Sequence, residues 1–166
     1  MHWGNSLKRM PGAIAATLAL ALIVAATAFA AEVTRDEYKA AVEPICQSNT
    51  KANEQILAGV SREVKAGKLK TAAAKFSEAS GELRRTLAEL EAVPRPAADG
   101  ARLAKWFGLV KVEAELFATA GKKLKAGDKP GAEHLVAKLN QNANKANLEV
   151  LPFGFRYCRL EPAKFT

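Results

Sequence analysis

Between residues 34 and 150 apolar positions recur every three or four residues, the spacing that gathers them on one face of a helix. Thr34 and Glu37 open the first such stretch as a capping box, in which two side chains satisfy backbone donors left free at a helix start. Tyr38, Val42, Ile45, Ala52, Ile56, Val60 and Val64 continue the stripe as far as Gly67. A residue without a Cβ readily takes the left-handed conformation found just past a helix end, so Gly67 is the predicted stop. Pro44 lies inside this helix. It either kinks it or divides a short segment ending near Val42 from a main helix beginning at Pro44.

Three further helices follow. The second carries Leu69, Ala73, Phe76, Leu83, Leu87 and Leu90 and ends before Pro94-Arg95-Pro96. The third carries Leu103, Trp106, Val110, Phe117, Ala120 and Leu124, with Leu109, Val112 and Leu116 widening its apolar face up to Gly127. Asp128 is the predicted N-cap of the fourth, which presents Leu135, Val136, Leu139, Ala143, Ala146 and Val150 and is otherwise rich in amides: Asn140, Gln141, Asn142, Asn144 and Asn147. No alternating run is long enough for a sheet. Short connections favour antiparallel neighbours, so the predicted fold is all-α, an antiparallel up-down-up-down four-helix bundle over residues 31–166 as a single domain.

Residues 1–30 follow a different pattern. Lys8 and Arg9 precede an uncharged apolar run from Ala13 to Ala31, and Ala28-Phe29-Ala30 matches the small-x-small cleavage pattern of a signal peptide. The expectation is export, with cleavage after Ala30, to the secreted, periplasmic or cell-envelope space. An uncleaved N-terminal helix tethering the protein to the membrane is the alternative, since the run approaches the roughly 20 residues that span a bilayer. Export leads to an oxidising compartment, where two cysteines pair rather than stay free.

Those cysteines are Cys46, in the first helix, and Cys158, near the end of "LPFGFRYCRLEPAKFT". Cys46 lies roughly 17 Å along its helix at 1.5 Å per residue. The residues from Leu151 to Cys158 can reach about 25 Å when extended. The tail can therefore return along the bundle and form a Cys46–Cys158 disulfide. Leu151, Phe153, Phe155 and Tyr157 alternate with Pro152, Gly154 and Arg156, which suits an extended segment laying an apolar edge on the helices. Strict alternation turns Cys158 away from that edge, so Gly154 or a local turn must re-aim the chain.

Chemistry is scarce. Beyond the leader no methionine remains and His134 is the only histidine, so a His/Met haem has no ligand pair; Cys-x-x-Cys-His and repeated Glu-x-x-His are absent as well. Gly59-Val60-Ser61-Arg62-Glu63 fails the nucleophile-elbow pattern, and no phosphate-binding glycine loop occurs. No metal, cofactor or enzymatic activity is expected. Glu113 falls near the apolar face of the third helix, where a buried carboxylate calls for a lysine or amide partner. Trp106 shares its register with Leu103 and Val110 and is expected in the core.

The formal charge is +8, from 25 basic and 17 acidic residues, and +6 without Lys8 and Arg9. Two similar turns, "VKAGK" from Val64 and "LKAGD" from Leu124, fall at the same end of the predicted bundle. They gather Lys65, Lys68, Lys70, Lys122, Lys123, Lys125 and Lys129, an arrangement suited to anionic cell-envelope polymers or a membrane surface. Cations at helix C-termini also complement the helix dipole, which by itself accounts for the pattern. The cluster lacks interleaved aromatics, so nucleic acid is not an expected partner.

A first-helix cysteine paired with a terminal "GFRYC" resembles a group of small, uncharacterised exported bacterial helical proteins. The resemblance implies export and helical content and brings no activity, ligand or catalytic residue. The sequence favours a non-enzymatic exported bundle with a structural or interaction role in the cell envelope. The alternative is a small-ligand carrier, with Tyr38, Trp106, Phe117, Phe153, Phe155 and Tyr157 lining a pocket between helices under the aromatic tail.

Overall fold

The computed structural model describes residues 32–164, in which every regular element is helical. The signal peptide read over residues 1–30 and the closing Phe165-Thr166 lie outside the described residues. Helix α1 spans Arg35–Ile56, α2 Val60–Lys65, α3 Leu69–Glu91, α4 Gly100–Lys125 and α5 Lys129–Glu149, with 3-10 turns at Ala97–Asp99, Leu151–Phe153 and Pro162–Lys164. The four long helices pack in sequence order, α1 on α3, α3 on α4 and α4 on α5. Short connections make successive long helices antiparallel, and side-chain pairs join their middles: Asn49 meets Thr86, Ser80 meets the Ala114 carbonyl, and Asn142 meets Glu113. Gly121 faces α3 so closely that an added Cβ would lie 3.0 Å from the Ala73 carbonyl oxygen, and the glycine lets the two backbones approach. Among the described residues no helix is long and apolar enough to cross a membrane.

The predicted capping box is present, with the Glu37 N–H donating to Thr34 Oγ1 and the Thr34 N–H donating to the Glu37 carboxylate. Helix α1 runs uninterrupted through Pro44 but stops at Ile56, eleven residues before the predicted Gly67. The stop falls at Leu57–Gly59, where Gly59 takes a φ of 74°, so Val60 and Val64 belong to the separate helix α2. Both Lys-Ala-Gly turns close in the same way. The Lys68 N–H donates to the Glu63 carbonyl and the Asp128 N–H to the Lys123 carbonyl, each past a left-handed glycine. Asp128 caps α5 through the Gly131 N–H. On α4 the predicted wide apolar face is narrower, because Val112 is exposed.

Helices α1 and α5 share no packed seam of their own, and the C-terminal segment fills the groove between them. Its path differs from the extended strip predicted. Leu151–Phe153 coil into a 3-10 turn, leaving Leu151 72% exposed, and Gly154 reverses the chain with a φ of 58°. The segment then follows α1 toward that helix's C-terminus. Lys39 Nζ donates to the Gly154 carbonyl, and the Glu43 carboxylate accepts the Arg156 and Tyr157 N–H groups at 2.5 and 2.9 Å. On the α5 side the Asn147 amide exchanges two hydrogen bonds with the backbone of Leu160, at 2.9 and 2.8 Å. The Cys46–Cys158 disulfide joins this segment to the middle of α1, with both cysteines buried. A loop of this length, 112 residues apart in sequence, contributes roughly 4–5 kcal/mol by restricting the unfolded chain. Cys158→Ser is therefore expected to expose a titratable Cys46 thiol and lower the unfolding free energy by several kcal/mol in a denaturant titration. An unchanged midpoint would refute that role for the bond.

Candidate ligand-binding site

The six aromatic residues expected to line one pocket divide into two groups. Tyr38, Trp106, Phe153 and Phe155 are at most 5% exposed and pack ring against ring, with centroids 5.1 to 6.4 Å apart. Phe107 extends the cluster beside Trp106. Arg35 seals its edge, standing 5.6 Å over the Phe153 ring while donating two hydrogen bonds to the buried Asp99 carboxylate at 2.6 and 2.7 Å. Those bonds hold the Asp99 carboxyl below the usual carboxylate range. Burial pushes the Tyr38 hydroxyl up to about 12, and neither Tyr38 Oη nor Trp106 Nε1 has a hydrogen-bond partner among the described residues. The rings leave no pocket between them, although Phe155 also borders a shallow outer groove with Asn147, Leu151 and Arg159.

Phe117 and Tyr157 lie elsewhere, on a cavity of about 310 Å³ bounded by α1, α3, α4 and the C-terminal segment. That volume is at the lower end of the roughly 300–1,000 Å³ typical of small-molecule sites. The inward face of α1 explains its position. Val42 and Cys46 continue at helical spacing into Asn49 and Asn53, so the stripe changes from apolar to amide halfway along the helix. The amides are locally ordered, the Asn53 Nδ2 donating to the Asn49 carbonyl and Oδ1 and the Thr86 hydroxyl donating to the same Oδ1. Leu57, Leu83 and Phe117 supply an apolar wall, and the C-terminal segment adds Tyr157, Arg159 and Leu160.

Glu113, from the middle of α4, also lines the cavity and is 1% exposed. Its Oε2 accepts a 2.7 Å hydrogen bond from Asn142 Nδ2, which also donates to the Leu109 carbonyl. Its Oε1 has no partner among the described residues. The predicted amide partner is thus Asn142, but it serves only one oxygen. Desolvation pushes the Glu113 carboxyl up to about 7, against the smaller opposing effect of the Asn142 hydrogen bond. A carboxyl in this state can present an O–H or a bare oxygen to whatever enters.

The opening is charged. The Arg156 guanidinium stacks over Tyr157 at 5.1 Å, Lys164 pairs with Glu161, and exposed Arg159 has no ion pair among the described residues. The cavity's Asn49, Asn53 and Arg159 were not singled out from sequence. The signal for the first two was the interrupted apolar stripe of α1; Arg159 became relevant only once the tail was placed.

Part of the predicted basic cluster also comes together, at the end of the bundle away from the aromatic rings. Gly67, Lys68 and Lys70 adjoin Lys125 and Gly127 across a shallow depression, with Lys65 and Lys122 exposed nearby in sequence. Lys123 pairs with Asp128 at 2.8 Å and Lys129 with Glu133 at 3.9 Å. Among the described residues no group of three or more His, Cys, Asp or Glu side chains is placed to hold a metal ion.

Glu113 gives the site a pH signature. Its folded-state pKa lies above its ordinary value of 4.5, so the native state holds the proton more tightly than the unfolded chain does. Its burial carries no charge penalty below pH 4.5, and the penalty grows as pH rises to about 7, reaching on the order of 3 kcal/mol. Glu113→Gln is expected to match the wild type in stability near pH 4 and to exceed it increasingly up to pH 8. Parallel stability curves for the two proteins across that range would contradict this account of Glu113. No family model matches the chain, and neither the curated proteins nor the solved structures contain a significant match to it.

Proposed function

We propose that this protein binds a small polar organic molecule in the cavity beneath its C-terminal segment, with Glu113 as the buried anchor. The observation that carries this reading is a cavity of about 310 Å³ lined in part by the buried Glu113, whose Oε1 has no hydrogen-bond partner among the described residues. An apolar side chain of similar volume would fill the site without desolvating a carboxyl, whereas a buried polar atom lacking a partner costs about 1–3 kcal/mol. Departures of this kind from good packing are expected where a site is built for a ligand.

Binding without chemistry is the preferred role, because no histidine or free thiol lines the cavity. The setting we propose is outside the cytoplasm. The apolar leader and its cleavage pattern support export, and the Cys46–Cys158 bond suits an oxidising compartment. The protein would then be a carrier or sensor of a small solute in the cell envelope, and the tail both a structural strap and one wall of the site.

Titration of the isotope-labelled protein with a library of small polar metabolites tests this. At least one compound is expected to shift the backbone resonances of residues 49–57, 113–117 and 156–164 together and to raise the melting temperature. Thr50→Phe, which adds bulk at the cavity wall, should abolish both effects. A library that leaves these resonances unmoved would overturn the proposal.

A further inference from the structure

Resting on the ligand-binding reading above, we infer that the occupant is a small zwitterion, held by its ammonium group at Glu113 and by its carboxylate at Arg159. Three observations converge on that class. The first is the inner end of the cavity. With Oε2 committed to Asn142, which lies outside the cavity lining, Oε1 is the buried oxygen without a partner, and a ligand reaches it only where the wall gives way locally. It needs a donor, and a cationic donor both satisfies its lone pairs and restores the charge balance that burial disfavours. No lysine or arginine among the described residues supplies one, since Glu113 takes part in no ion pair there.

The second is the opening, which carries the opposite need. Arg156 and Arg159 both line the cavity without an ion pair among the described residues, Arg156 being stacked over Tyr157, while Lys164 is neutralised by Glu161 and the exposed Glu54 stands on the same rim. A guanidinium left free beside a cavity matches a carboxylate through its paired N–H groups. The third is the wall between them. Leu57, Leu83 and Phe117 form an apolar side facing the polar side of Asn49, Thr50 and Asn53, so the ligand's middle is amphipathic, and the limited volume keeps it to the size of an amino acid or a short peptide. A purely cationic amine would leave Arg159 unused, and a simple carboxylate would leave Glu113 unpaired beside like charge.

Calorimetric titration of the full-length protein at pH 7.5 with a subtractive set of probes tests the class. 6-Aminohexanoate carries both charges, hexylamine only the ammonium and hexanoate only the carboxylate. Leucine and glycyl-leucine place the two charges on one carbon or across a peptide unit, and so tell a free amino acid from a peptide. The best of the three zwitterions is expected to bind at least about tenfold more tightly than either single-charge probe. Glu113→Gln should erase its advantage over hexanoate, and Arg159→Ala its advantage over hexylamine, with both variants melting cooperatively. Hexylamine or hexanoate binding as tightly as every zwitterion would overturn the class and leave the cavity a ligand site. Failure of all five probes, while some library compound still shifts the cavity resonances, would likewise overturn the class alone. If nothing binds in either experiment, both readings fall.

Discussion

The arrangement of this molecule follows from the wedge between α1 and α5. A closed four-helix bundle has four seams, and here the fourth is occupied by chain from the tail, leaving α1 and α5 without a packed seam of their own. An irregular segment in such a groove must satisfy its own backbone groups, having no helical ladder to do so. Side chains from both flanking helices do this work: Lys39 and Glu43 on one side, Asn147 on the other. The disulfide then makes the arrangement insensitive to the modest worth of each hydrogen bond, because separating tail from α1 requires breaking a covalent link.

The same wedge explains why one end of the bundle is dry and the other is hollow. Near the start of α1 the tail brings Phe153 and Phe155, whose rings reach Tyr38 and Trp106 and leave no room between them. Beyond Cys158 it brings Arg159, Leu160 and Glu161, which do not reach across the same width, and α1 has already changed from apolar side chains to Asn49 and Asn53. Filling is lost from two sides of the groove at the same level, and the cavity opens there. Glu113 stands at that level on α4. Its carboxyl is buried, held by Asn142 on one side and bordering the cavity on the other.

Much of this was legible in the sequence, for reasons that differ by element. The capping box at Thr34, the Asp128 cap and the two Lys-Ala-Gly turns depend on chemistry within six residues, and local chemistry survives into the fold. The staple between Cys46 and Cys158 was readable because reach along the chain bounds where a tail can go. The break at Gly59 was not, since Val60 and Val64 continue the helical period across it and periodicity is blind to a change of axis. The division of the six aromatics into two groups was not readable for a related reason. Alternation along Leu151–Tyr157 gives the side of a strand, whereas the 3-10 turn and the left-handed Gly154 send Leu151 to solvent and Phe153 into the core.

The candidate site was the least legible part because it is defined by what fails to meet. No motif encodes an unpaired oxygen. Asn142 was one amide among several on its helix, and Glu113 one acidic residue near an apolar face, until the α4–α5 register set one against the other. Had Asn142 lain a turn away, Glu113 would face the Leu109 carbonyl unassisted, and burial would hold it protonated more firmly still. Had a lysine replaced the asparagine, the carboxylate would be fully paired and of no use to a visitor. The single amide is intermediate. It orders one oxygen, leaves the other open and keeps the carboxyl able to exchange its proton near neutrality, a state that a ligand's own charge can then decide.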